Sequence, residues 1–386
     1  MRAGLWVMAV WCIPTPLLGQ EIRLAKSDHV LAQAMRTLPV RVVGRVSSSS
    51  HSGPWPGGAK RYLHQWPGVY FETTFSGDSL VLKFDDPYNE YRLSIDGHAA
   101  QRMAQPGASE YSVTGLPAGL HRARLEKVTE SIDHSASFEG FYAPSGTRVH
   151  RSEHRARQIE FIGDSGMTGY GIRSDTRTCT QEEVRLRSDT QIAYPALVAK
   201  RLDADYQINA ISGRGLIRNY GGQWPGDSML HAYRYAVRER EFLYHDSGWR
   251  PQVIFVMLGS NDFYGDVKAG ERWASLPALA EEWTTAFEQF VSRLHRRTPD
   301  AKIIVAWPDR AAQTDTDATR MFTKAQKSVE AAARRGGIRK LSFVQMAPGL
   351  KLQDSACDYH PSAEDHRQMA VYVAEAIETS TGWRAH

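Results

Sequence analysis

Alternation of apolar and polar residues dominates the first half of the chain, from about residue 40 to 142. Period-two alternation with aromatic or β-branched residues predicts short strands at 69–75, 79–84, 91–95 and 120–128. Turn-forming pairs such as Gly77-Asp78 and Asp96-Gly97 separate these runs. Several short strands at this spacing predict a β-sandwich of jelly-roll type, which we assign to residues 38–146.

Two segments of this half lack the alternation. The polar residues between 21 and 37 are expected to be helical or irregular. The insert 47–58 is rich in Ser, Gly and Pro, so it is expected to be a loop.

From about residue 157 the pattern changes to strands that alternate with helices. Apolar runs predict strands at 158–162, 206–211, 253–258, 302–307 and 341–345. Helical periodicity predicts helices at 278–296, 319–335 and 363–379. This order predicts an α/β domain over residues 155–386, with a parallel sheet flanked by helices.

Composition agrees with two globular domains and excludes some partners. The chain has 386 residues, of which 42% are hydrophobic and 23% charged. Its net charge of +4 is small for this length, and its basic residues are scattered, so no nucleic-acid partner is predicted.

The first twenty residues have the features of a secretion signal. Arg2 precedes an apolar run at 5–13, Pro14 breaks the run, and small residues near Gly19 suit cleavage. A signal peptide at 1–20 predicts a secreted or periplasmic protein. An uncleaved N-terminal anchor is the alternative, and no later stretch reaches the length of a membrane span.

Three polar segments follow predicted strands and carry the residue types of a serine hydrolase. Ser165 ends the run Gly163-Asp164-Ser165, Asn261 follows 256–260, and Asp358 precedes His360 near the C-terminus. A serine needs a base, the base needs a partner on its other nitrogen, and an oxyanion needs donors. Ser165 is therefore the predicted nucleophile, His360 the base and Asp358 its orienting partner. For Ser165 the alternative is a helix N-cap.

These segments resemble the SGNH, or GDSL, hydrolase superfamily, and most closely its carbohydrate esterase family 2. The glycine segment is Ser212-Gly213-Arg214-Gly215, and further similarity lies in 65–69 and 95–97. The resemblance implies an oxyanion hole made by the N–H groups of Ser165 and Gly213 and the side chain of Asn261. It also implies a β-sandwich joined to the hydrolase domain. No cofactor is predicted.

The histidine segment departs from the general superfamily pattern. Asp358 and His360 are two residues apart, as in family 2, where the superfamily has three. A backbone carbonyl remains an alternative to Asp358 as the partner of His360, and His366 competes as the base. Tyr359 stands between them where family 2 often has tryptophan. We expect Tyr359 and Trp224 to contact substrate, with packing of the loop as the alternative for Tyr359.

Cys179 and Cys357 remain once the signal is removed. Both lie in loops that should reach one edge of the sheet, so a disulfide is expected, with two free buried thiols as the alternative. No spaced His/Cys set accompanies them, and no metal is predicted.

The resulting expectation is a secreted carbohydrate O-acetyl esterase that acts on acetylated polysaccharide of xylan or glucomannan type. Two alternatives stay open. One is an esterase or acyltransferase for other small acyl esters, and the other is a glycan-binding protein.

Overall fold

The computed structural model describes residues 22–27, 34–50, 59–308 and 315–385. The predicted signal at 1–20 and most of the predicted loop at 47–58 lie outside the described residues. Among the described helices, none combines the length and the apolar character that crossing a membrane requires.

In the residues that the structure describes, the N-terminal domain contains thirteen strands. They are β1 (Arg23–Ser27), β2 (Met35–Thr37), β3 (Arg41–Val43), β4 (Val46–Ser50), β5 (Lys60–His64), β6 (Tyr70–Gly77), β7 (Leu80–Asp86), β8 (Glu90–Ile95), β9 (Gln101–Ala104), β10 (Gly107–Thr114), β11 (Gly119–Lys127), β12 (Ala136–Pro144) and β13 (Arg148–His150). One sheet has the order β1-β10-β7-β12-β5-β4 with β2 on β12, and the other has the order β13-β6-β11-β8-β9 with β3 on β6.

Aromatic side chains join the two antiparallel sheets of this domain. The ring centroids of Phe71 in β6 and Phe138 in β12 are 4.8 Å apart, and those of Phe138 and Phe84 are 5.4 Å apart. All three side chains are essentially inaccessible to water. This contact between inward faces is the core of a sandwich, as predicted.

Two predictions for the N-terminal half were wrong. The segment before residue 37 contains the strands β1 and β2, and the start of the predicted loop, 47–50, belongs to β4. These strands are polar and lack alternation, but β1 pairs along its length with β10 and β4 with β5. The ladder partners supplied by distant strands override the weak local preference.

The C-terminal domain alternates strands with helices. Its elements are β14 (Arg157–Gly163), α1 (Ser165–Thr168), α2 (Gln181–Arg187), α3 (Tyr194–Arg201), β15 (Ala204–Ala210), α4 (Met229–Ala232), β16 (Tyr235–Val237), β17 (Phe242–Leu243), β18 (Val253–Val256), α5 (Leu276–Arg297), β19 (Lys302–Trp307), α6 (Asp317–Gly336), β20 (Leu341–Gln345) and α7 (Ala363–Thr381). Single 3-10 turns lie at Thr190–Ile192, Tyr220–Gly222 and Cys357–Tyr359.

The five predicted parallel strands form one sheet in the order β15-β14-β18-β19-β20. Side chains on opposite faces of β18 belong to two separate cores. Val256 packs in the core that contains Trp283 of α5, and Phe255 packs in the core that contains Val373 of α7. Helices therefore cover both faces, which confirms the predicted α/β class.

Buried ion pairs connect the sandwich to the hydrolase domain. Arg41 in β3 pairs with Asp205 in β15, and the Tyr70 hydroxyl donates to the same carboxylate over 2.7 Å. Arg45 pairs with Glu160 in β14 at 3.4 Å, with both side chains inaccessible. The sandwich is thus held against the two strands that lead into the candidate site.

Candidate active site

Three neighbouring strands end at the same edge of the parallel sheet and supply the predicted site residues. Ser165 follows the central β14, Gly213 follows β15, and Asn261 follows β18. Because the carboxyl ends of adjacent parallel strands converge, residues far apart in sequence meet here. His360 reaches the same place from the loop that precedes α7.

Ser165 is the first residue of α1. The Asp164 side chain caps this helix by accepting from the N–H of Gly166 over 3.1 Å. The N–H of a first helical residue has no acceptor within its own helix, so the Ser165 N–H is available to a ligand. The N-cap role considered for Ser165 is therefore filled by its neighbour.

The Ser165 hydroxyl contacts the imidazole of His360. Oγ of Ser165 lies 2.9 Å from Nε2 of His360. On the other side of the ring, Nδ1 lies 3.0 Å from the carbonyl oxygen of Cys357. A proton on Nδ1, donated to that carbonyl, leaves Nε2 as an acceptor for the serine proton. The pair has the geometry of a nucleophile and its base.

Asp358 does not occupy the orienting position that the sequence predicts for it. Its carboxylate accepts a hydrogen bond from the Tyr170 hydroxyl at 2.8 Å, while the Cys357 carbonyl faces the imidazole. Asp358 and Tyr359 both have left-handed backbones, with φ of 52° and 59°. Asp358 and His360 are only two residues apart, and with this backbone conformation the Asp358 side chain points toward Tyr170. The carbonyl alternative is the arrangement that the structure contains.

The loop that carries the Cys357 carbonyl is fixed covalently. Cys179 and Cys357 form a disulfide, with their Cα atoms 5.5 Å apart. The next N–H, that of Asp358, donates to the Arg177 carbonyl over 2.8 Å. The ring of Tyr170 stacks on His360 with centroids 4.2 Å apart. The imidazole is thus held by a backbone acceptor on a tethered loop and by an aromatic face.

Burial shapes the protonation of the site. Desolvation lowers the pKa of His360, and the Cys357 carbonyl and the charge of Asp358 offset part of this shift. The imidazole therefore stays neutral at pH values below the usual pKa of histidine. Burial also raises the pKa of Asp164 to about 7. Asp164 contacts the Gly166 N–H and the Asn261 amide, which fits a structural role.

Gly213 occupies a position that favours glycine. Its φ is +75°, in the left-handed region, and a Cβ there would lie 3.2 Å from the Trp224 ring. The Arg214 guanidinium lies 4.2 Å from the centroid of that ring. Trp224 therefore covers the glycine turn while remaining 48% exposed.

The Asn261 amide faces two acceptors. Nδ2 donates to the Asp164 carboxylate and to the Arg214 carbonyl, each over 3.1 Å. The Asp164 bond fixes the direction of the amide, and its second proton points along the glycine segment. For Asn261 to donate this proton to a ligand oxygen, its hydrogen bond to the Arg214 carbonyl must break.

Asp262 has a role that the sequence alone did not indicate. Its carboxylate accepts from the N–H groups of Leu216, Ile217 and Arg218 at 2.7, 2.8 and 2.9 Å. Three backbone donors on one carboxylate fix the glycine segment to the end of β18. This role was not predictable from the sequence, because the partners of Asp262 lie about 45 residues earlier in the chain.

Exposed aromatic rings flank the site. Tyr359 is 71% exposed and its ring lies 4.9 Å from the Arg177 guanidinium. Tyr220 and Tyr264 stack with centroids 4.0 Å apart. Within the described ranges, no group of three or more His, Cys, Asp or Glu side chains is arranged to hold a metal ion.

The fold and the strand-end residues define a hydrolase of the GDSL, or SGNH, class, and the profile of the GDSL-like lipase/acylhydrolase family matches residues 161–368. The carbohydrate esterase 2 N-terminal profile matches residues 42–152. The chain belongs to carbohydrate esterase family 2.

Relatives support this assignment over nearly the whole chain. An acetylxylan esterase/glucomannan deacetylase of Cellvibrio japonicus (strain Ueda107) is 38% identical over 93% of this chain and 96% of its own. A carbohydrate esterase with divergent catalytic and non-catalytic binding functions is 37% identical, with a TM-score of 0.80 over 90% and 99% of the two chains. A Clostridium thermocellum family two esterase, solved with cellohexaose, is 25% identical, with a TM-score of 0.73 over 90% and 100%. The protein is a carbohydrate esterase.

Proposed function

We propose that the protein is an exported O-acetyl esterase that removes acetyl groups from polysaccharides of xylan or glucomannan type through a serine acetyl-enzyme. The contact of 2.9 Å between Ser165 Oγ and His360 Nε2 is the observation that carries the mechanism. The Cellvibrio relative, an acetylxylan esterase/glucomannan deacetylase, supports the substrate class. The predicted signal and the disulfide, a bond favoured by oxidising compartments, support export.

In this mechanism Ser165 Oγ attacks the acetyl carbonyl carbon while His360 Nε2 takes the hydroxyl proton. The oxyanion is bound by the N–H groups of Ser165 and Gly213 and by the Asn261 amide. His360 returns the proton to the departing sugar oxygen. Water, deprotonated by the same imidazole, then hydrolyses the acetyl-enzyme to acetate and free serine.

The proposal is tested by measuring acetate release from a panel of acetylated polysaccharides, beside short- and long-chain aryl esters. We expect release from xylan or glucomannan and a preference for acetyl over long acyl groups. Efficient cleavage of long-chain esters with no acetate release would defeat the proposal. Acyl transfer to added alcohols, or glycan binding without hydrolysis, would favour the alternatives instead.

Asn261→Ala should lower kcat on an aryl acetate by about a hundred- to a thousandfold, the usual effect of losing one oxyanion donor. The effect should fall on kcat because the donor acts on charge that develops in the transition state. Steady-state kinetics on the folded variant check this. A change confined to KM would make Asn261 a substrate-binding residue.

Tyr359→Ala should weaken polysaccharide turnover more than aryl acetate turnover. Its exposed ring adjoins the base, and loss of one aromatic contact of about 1 kcal/mol corresponds to roughly fivefold in kcat/KM. The matched control is Phe242→Ala, which removes another exposed aromatic ring, from β17. Equal losses on both substrates would mean that Tyr359 only packs the loop.

A further inference from the structure

A carboxylate from the sandwich domain reaches the glycine turn of the hydrolase domain. Glu130 lies between β11 and β12, outside both the catalytic domain and every predicted site segment. Its Oε1 accepts from the Ser212 N–H at 2.7 Å, and its Oε2 accepts from the Ser212 hydroxyl at 2.5 Å. Both oxygens are thus bound to the residue that precedes Gly213.

The segment that carries Glu130 is itself held in place. Nζ of the buried Lys127 donates to the Ser131 hydroxyl over 2.7 Å. The Thr190 N–H of the hydrolase domain donates to the Val128 carbonyl over 2.9 Å. Fixed on both sides, Glu130 approaches Ser212 from a rigid support.

The turn that Glu130 contacts has a conformation that depends on one peptide plane. The Arg214 N–H donates to the Ile211 carbonyl over 3.2 Å, and Gly213 has a φ of +75°, as the third residue of a type II turn requires. Type I and type II turns differ in the orientation of their central peptide. Here that peptide joins Ser212 to Gly213 and carries the Gly213 N–H.

Ser212 is also connected by hydrogen bonds to the helix that carries the nucleophile. The hydroxyl oxygen of Thr168, at the end of α1, lies 3.0 Å from the Ser212 hydroxyl and 3.3 Å from the Ser165 carbonyl oxygen. Ser212 therefore lies between Glu130 and the short helix that begins with Ser165. Through these hydrogen bonds, Ser212 links the turn that carries the Gly213 N–H to the helix that begins with Ser165.

We propose that Glu130 is a positioning residue, supplied by the sandwich domain, that fixes the orientation of the Gly213 N–H toward the oxyanion. This inference rests on the proposed function, because it assumes that the Gly213 N–H binds the oxyanion. It makes the sandwich domain part of the catalytic apparatus.

The benefit of Glu130 comes from geometry and not from charge. A carboxylate beside an oxyanion hole opposes the negative charge that develops there. A glutamine of the same shape would accept from the Ser212 N–H and donate to its hydroxyl, which keeps both bonds without the charge. The two substitutions at this position therefore have different expected results.

Glu130→Ala should lower kcat on aryl acetate about 10- to 100-fold with little change in KM, because a displaced donor weakens transition-state binding. Glu130→Gln should stay within about threefold of wild type. Glu90→Ala is the control for domain docking. Glu90 joins the sandwich to Arg173 of the hydrolase domain at 3.1 Å, and its loss should leave kcat unchanged.

The three variants and wild type are also treated with a 4-nitrophenyl alkylphosphonate, from which the serine oxygen displaces nitrophenolate at phosphorus, and Ser165 labelling is followed by mass spectrometry. If Ser165 is labelled in wild type, and Glu130→Ala is labelled equally fast and has the same kcat, the inference is overturned and the proposed function stays intact. Failure to label Ser165 in wild type would overturn both. If Glu130→Ala does not fold, Ser212→Ala, which deletes only the hydroxyl, should lower both rates, and unchanged rates would count against the inference.

Discussion

Ser165→Ala should reduce esterase activity by about a thousandfold or more while the protein stays folded. The Ser165 hydroxyl is the nucleophile that attacks the ester in the proposed mechanism, and it lies 2.9 Å from the base. Folding should be little affected, because the α1 cap is supplied by Asp164 and not by Ser165. Acetate release measures the activity, and circular dichroism shows whether the variant is folded.

Ser328→Ala is a suitable control for this experiment. Ser328 is an exposed residue of α6, and its hydroxyl donates only to the Lys324 carbonyl of the same helix. Its removal should leave activity at the wild-type level. If Ser165→Ala kept more than about a tenth of wild-type activity, an acyl-enzyme on this serine would be ruled out.

Much of the fold could be predicted because the local pattern and the tertiary structure agree there. The predicted strands at 302–307 and 341–345 have the bounds of β19 and β20, and the last helix differs from α7 by two residues at its end. Buried parallel strands are continuous apolar runs, so their signal is local. The polar strands β1 and β4 gave no such signal, because their stability comes from backbone pairing with distant partners.

The candidate site was also only partly predictable from the sequence. Ser165, Gly213 and Asn261 each follow a predicted parallel strand, so the order of elements along the chain is enough to place them at one sheet edge. Glu130 was missed because it comes from the other domain and meets Ser212 only through domain packing. The direction of the Asp358 side chain was not predictable, because it depends on two consecutive left-handed residues.

His360→Ala should lose about as much activity as Ser165→Ala, because nucleophile and base act as a unit. Asp358→Asn should lose far less. Removal of an aspartate that orients the imidazole costs roughly ten-thousandfold in turnover. In this protein the imidazole is held by the Cys357 carbonyl, and the Asp358 carboxylate accepts from Tyr170.

The pH profile of activity distinguishes an Asp358 that orients the imidazole from one that only raises the pKa of the imidazole. Activity requires neutral His360, and burial lowers the pKa of that ring, so the acidic limb of kcat/KM should lie below the usual histidine value of about 6.5. The Asp358 charge raises the pKa of His360, so Asp358→Asn should move the limb to still lower pH. A near-complete loss of activity in Asp358→Asn at every pH would instead make the carboxylate the orienting partner.

His366→Ala completes the comparison, since His366 is the other candidate base. His366 is buried in α7, its Nδ1 accepts from the Tyr194 N–H over 3.1 Å, and burial lowers its pKa to about 3. Its loss leaves a buried donor unpaired, so the variant should melt at a lower temperature and keep its kcat when folded. An inactive but stable His366→Ala protein, beside an active His360→Ala protein, would transfer the role of base to His366.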